Sequence, residues 1–103
     1  MKTATKENLL EAIDKVEEQG RVVQCGYIDK DKSCRCVIGH LLSNEELEQV
    51  IEEDLNNTSI GGIGFAKWED LERLANLQNI NDRINNLDEF VDIARRYIHA
   101  IFN

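Results

Sequence analysis

Apolar positions recur along most of this chain with a helical period, and residues with capping chemistry stand at the ends of the periodic runs. Residues 6–19 place Leu9, Ile13 and Val16 on one face, with Leu10 and Ala12 beside it. That is the spacing of an amphipathic helix. Thr5 supplies a capping hydroxyl ahead of the run, and Gly20 a stop behind it. Ser43-Asn44-Glu45-Glu46 has the form of a capping box and starts a helix running to about Asp54. In that helix Leu47, Val50 and Ile51 face inward while Glu45, Glu48 and Glu52 face outward. A third run, from Lys67 to about Ile84, carries Trp68, Leu71, Leu74, Ala75, Leu77, Ile80 and Ile84 as a wide apolar stripe. Asn85-Asn86 breaks it, and Asn86 with Glu89 three residues on caps a last helix over about 87–102. Phe90, Val91, Ile93, Ala94, Tyr97, Ile98, Ile101 and Phe102 make that helix apolar enough to need neighbours on two sides.

Between the first two helices the period is lost. Residues 21–28 are rich in β-branched and aromatic side chains, as in a short strand, and residues 29–33 form a polar turn. If residues 34–37 return across that turn, the result is a small β-hairpin. The apolar run from Val37 to Leu42 equally suits a buried helical turn, and a helix beginning near Cys36 is the preferred reading. Residues 56–64, with three glycines, two asparagines and a Thr-Ser pair, read as a flexible loop. The expectation is a mostly α single domain over residues 1–103, with about four helices and a short hairpin near residues 21–37 that would make it α+β.

Composition narrows the function. The net charge of −8 is confined to one third of the chain: residues 41–72 hold nine acids against Lys67 alone, while the flanking segments are each balanced. Direct nucleic-acid binding is disfavoured, because phosphate contacts need a basic patch. No run of about 18 apolar residues is present to cross a membrane, and the first residues lead into an acidic amphipathic segment rather than a secretory signal. With three cysteines, an odd number, the expected setting is the reducing cytoplasm and the expected state is free thiols.

The pattern Cys36-Val37-Ile38-Gly39-His40-Leu41, followed by Leu74-Ala75, Ile80-Asn81-Asp82 and Phe90-Val91-Asp92-Ile93-Ala94, resembles a family of small phage and prophage proteins. Their motifs are C-x-x-G-x-L, an LA-x-LND-like segment and an F-x-x-IA helix. This chain departs from them at Val37, where a second cysteine is common, and in the acidity of residues 43–54. The resemblance implies a mobile-element origin and carries over no catalytic role.

Four chemistries are open to these residues. Cys25, Cys34, Cys36 and His40 are zinc-type ligands with C-x8-C-x-C-x3-H spacing, which only partly meets the usual template of paired knuckles. Cys36 at a helix start, with His40 one turn on and Asn81 or Asp82 as orienting group, has the parts of a cysteine nucleophile. Side chains at i and i+4 nevertheless lie side by side rather than pointing at one another. Residues 59–65 hold a glycine-rich stretch without the Lys-Ser/Thr of a phosphate loop, and read as a turn. The fourth is an acidic binding face made of Glu45, Glu48, Glu52 and Glu53, with Glu46 and Asp54 beside them, joined by Glu69, Asp70 and Glu72. Such a face suits a basic site on a host protein, in its sharpest form by mimicking a nucleic-acid backbone. The expectation is a small acidic phage-type accessory protein that works by protein–protein contact, in the manner of an inhibitor, rather than an enzyme. A zinc-stabilised module is the alternative. Apolar excess on the last helix (Val91, Ile98, Phe102) fits either a dimer or core burial.

Overall fold

The computed structural model describes residues 1–102. It contains α1 (Lys6–Gln19), α2 (Asn44–Glu52), the single-turn α3 (Ile60–Ile63), α4 (Leu71–Arg83) and α5 (Leu87–Ile101). Two 3₁₀ turns, Gly39–Leu41 and Trp68–Asp70, complete the regular structure. Among the described residues no helix is long and apolar enough to cross a membrane.

The capping residues act as their chemistry dictates. Thr5 accepts from the Asn8 amide, and Gly20 takes the left-handed conformation that closes α1. Ser43 and Glu46 exchange both bonds of the capping box, and Asn86 accepts from the Glu89 amide. Leu9, Ala12, Ile13 and Val16 of α1 pack against Phe90, Val91, Ala94 and Ile98 of α5, all of them buried. α4 covers another side of α5 with Leu74 and Leu77, so α5 has the two neighbours its apolar surface requires. At the solvent edge of the α1–α5 seam, Arg95 reaches Asp14 and Glu17 at 2.9 and 3.0 Å.

The β-hairpin near residues 21–37 does not form. One isolated antiparallel bridge, Ile28 with Arg35, is all the pairing there. The β-branched and aromatic side chains signal burial, since Val23, Tyr27, Ile28, Val37 and Ile38 are all in the core. Beyond the two backbone bonds of that bridge, from the Asp29 amide to the Cys34 carbonyl and from the Cys36 amide to the Tyr27 carbonyl, backbone groups here find side-chain amides rather than a partner strand. Asn56 Oδ1 accepts from the Tyr27 and Ile28 amides, and its Nδ2 donates to the Ile28 carbonyl. Gln19 accepts from the Arg35 amide and donates to the Arg21 and Arg35 carbonyls. Asn81, fully buried on α4, accepts from the Val37 amide at 3.1 Å and donates to the Val23 carbonyl at 2.7 Å. Nor does a helix begin at Cys36. The chain there makes a single buried 3₁₀ turn over Gly39–Leu41 before α2 starts anew.

Gly39 permits that turn. A Cβ there would lie 2.1 Å from the Tyr27 carbonyl oxygen and 3.0 Å from Arg35 Cβ. The same carbonyl accepts from the Cys36 amide at 3.1 Å, so it is not free to move aside. Gly61, in α3, faces open space. Gly39→Ala should therefore destabilise the fold by about 2 kcal/mol or more through overpacking. Gly61→Ala should stabilise it by about 0.5 kcal/mol through a reduced backbone-entropy cost. Urea unfolding of the two variants against the parent measures both, and effects of the same sign would contradict this packing.

Candidate functional site

The acidic face rests on α2. Glu45, Glu48, Glu52, Glu53 and Asp54 are all exposed. Glu45 and Glu46 lie in the first turn, where the helix dipole favours them. Glu52 ends the helix and Glu53 and Asp54 follow it, where no basic residue offsets the dipole's negative end. Glu48 and Glu52 stand at i and i+4, a like-charge spacing that also disfavours the helix. Ile51, expected inward, is 37% exposed and belongs to this surface.

The second acidic segment is the 3₁₀ turn Trp68–Asp70 and the first turn of α4. Glu69 and Glu72 are exposed, but Asp70 is not part of the face. Its Oδ2 accepts from the buried Ala4 amide at 3.1 Å, a hydrogen bond that draws the carboxylate inward. Glu46 is likewise occupied, its Oε2 lying 2.7 Å from the Met1 ammonium. Residues 1–4 therefore tie the two acidic segments together. Three residues span at most about 11 Å, so the Glu46 and Asp70 carboxylates lie within about 17 Å of each other.

The turn also exposes Trp68, which is 85% accessible although the periodic pattern assigned it to the core. Residues 68–70 are a separate 3₁₀ turn rather than the start of α4, and it is Asp70 that the turn directs inward.

The cysteine–histidine stretch is not assembled for catalysis. Cys36 is fully buried, and its sulfur accepts from the Gly39 amide at 3.3 Å. Burial pushes its thiol up to about 12, so it is protonated and unsuited to attack. His40 does not face it. Its Nε2 lies 2.8 Å from Gln19 Oε1. Both protons of the Gln19 amide nitrogen are given to carbonyls, so Oε1 accepts and His40 carries its proton on Nε2. Asn81 holds Val23 and Val37, and Asp82 Oδ1 accepts from the Cys25 and Asn81 nitrogens.

The proposed ligand set Cys25, Cys34, Cys36 and His40 is not gathered either. All three thiols are free, Cys25 exposed, Cys34 half-buried and Cys36 in the core. Among the described residues no three His, Cys, Asp or Glu side chains converge as a metal site would need. Residues 59–65 contain α3, closed by Gly64 in the left-handed conformation. With Cys25, Asn57, Gln78 and Asp82, Ser59 lines an open cleft of about 440 Å³ that no lysine or arginine borders, so it offers no cation for a phosphate.

His40 does impose a pH dependence. Burial first, then the charges of Arg35 and Lys15, lower it from 6.5 to about 4. The fold favours the neutral imidazole, so the contribution to stability is complete above pH 6.5 and is lost as pH falls from there toward 4. Allowing for solvent screening of a half-buried ring, the loss is about 1–2 kcal/mol. His40→Gln should remove that part of the slope. Unfolding free energies at intervals between pH 7 and 4 measure it, and equal slopes in parent and variant would contradict the assignment.

The residues of the C-x-x-G-x-L pattern and of the two segments that follow it are largely interior here: Cys36, Gly39, Leu41, Leu74, Asn81, Phe90 and Ala94 are all buried. No family model, curated protein or solved structure matches this chain.

Proposed function

We propose that this chain is a non-catalytic accessory protein of phage type that binds a basic surface on a host protein through α2 and the exposed acids of residues 69–72, and so inhibits that protein. The observation that carries this reading is the absence of internal compensation. Glu45, Glu48, Glu52, Glu53, Asp54, Glu69 and Glu72 are exposed, and none has a salt-bridge partner among the described residues. The chain's ion pairs lie elsewhere, on α1, the 21–31 loop and α5, apart from the ammonium contact of Glu46. Self-repulsion and the unfavourable end of the α2 dipole both oppose this arrangement. A complementary basic surface offsets both and steers encounter.

The resemblance to phage proteins supports the host as the source of that partner. Affinity capture of the tagged chain from bacterial lysate, eluted with a salt series, identifies it. Replacing Glu48, Glu52 and Glu53 together by Lys should lower affinity for the captured protein at least tenfold. The same change should leave the urea midpoint unchanged or higher, because repulsion is relieved. Unchanged affinity would remove the acidic face from the account.

A further inference from the structure

Trp68 is the single tryptophan of the chain and stands 85% exposed. A tryptophan buries roughly 150–250 Å² when covered and is among the residues most enriched at the energetic centres of interfaces. Here it lies between Lys67 and Glu69, with Glu72 one helical turn on, all three exposed. No cation among the described residues uses its ring: the one cation–π contact there is Arg73 over Phe102, at 4.6 Å. Trp68 therefore brings an unused electron-rich face to a stretch whose exposed acids, Glu69 and Glu72, have no salt-bridge partner among the described residues.

The geometry points to an arginine of the partner as the group that Trp68 receives, its guanidinium stacked on the indole and its N–H edge donating to Glu69 or Glu72. This deepens the proposed function and rests on it, since an acidic rim selects a basic partner. Arginine fits better than lysine for two physical reasons. Its cation is planar and weakly hydrated, so stacking on an indole costs less desolvation, and its forked donors match carboxylates. An ammonium remains a compact hydrated charge that gains from the acids and little from the ring. Trp68 is then the anchor, and the α2 carboxylates steer.

The test uses the intact chain and two synthetic helical peptides of equal length and charge, one with arginine and one with lysine as its only cation. Trp68 emission reports its own site because no other tryptophan is present, and calorimetry gives affinities for every variant. The arginine peptide should bind one-to-one, shift the emission to the blue, and bind about tenfold tighter than the lysine peptide. Trp68→Ala should abolish that difference while leaving the circular dichroism unchanged, and Trp68→Phe should restore part of it. Equal affinities with unmoved emission, both still weakened by Lys at 48, 52 and 53, would overturn the anchor and leave the acidic face standing. If neither peptide binds at low salt, the anchor and the basic-partner reading fall together.

Discussion

The carboxamide of Asn81 is fully buried on α4, and it joins two stretches of chain that pair regularly with each other only at the Ile28–Arg35 bridge. Its oxygen accepts from the Val37 amide and its nitrogen donates to the Val23 carbonyl. A buried peptide group without a partner costs about 1–3 kcal/mol, and an irregular segment brought into a core has many such groups. A strand solves this with a neighbouring strand. Residues 21–42 solve it with short backbone turns and the one bridge and, where those end, with side chains, because an amide carries donor and acceptor on one planar group and so imitates a peptide unit. Asn56 does for Tyr27 and Ile28, and Gln19 for Arg21 and Arg35, what Asn81 does deeper in. Each of the two helical amides sits on a rigid element, so the loop takes its shape from α1 and α4.

That constraint explains why the chemistry-bearing residues of this stretch are structural. The Cys36 sulfur accepts an amide of the turn that Gly39 allows to approach Tyr27, and His40 is bound to the same Gln19 that orders Arg35. No buried side-chain nitrogen or oxygen among the described residues lacks a partner. The buried side chains are thus satisfied, while the exposed carboxylates Glu45, Glu48, Glu52, Glu69 and Glu72 have no salt-bridge partner among the described residues. The imbalance between a satisfied inside and an unanswered outside is what directs the functional reading to the surface.

Much of the helical frame was legible in the sequence. Leu9, Ile13 and Val16, or Phe90, Ala94 and Ile98, repeat at helical spacing, and Thr5, Ser43 and Asn86 supply local caps that need no tertiary context. The segment 21–42 was not legible as a fold, because β-branched residues report burial and not what the backbone pairs with. A signal did exist: Asn81 falls at the helical phase of Leu74 and Leu77, a polar amide on a core stripe. Asp70 and Trp68 were exchanged for a related reason. Composition assigns an acid to the surface and an indole to the core, yet the Ala4 amide holds the acid inward and a 3₁₀ turn leaves the indole outside.

Native-state hydrogen exchange at the Val37 amide tests the amide clasp most directly. If Asn81 holds this loop as part of the core, Val37 exchanges only by global unfolding, with the same free energy as the Val16 and Ile98 amides. Exchange at Val37 through a local opening of much lower free energy would contradict it, and would make residues 21–42 an independent, loosely held segment.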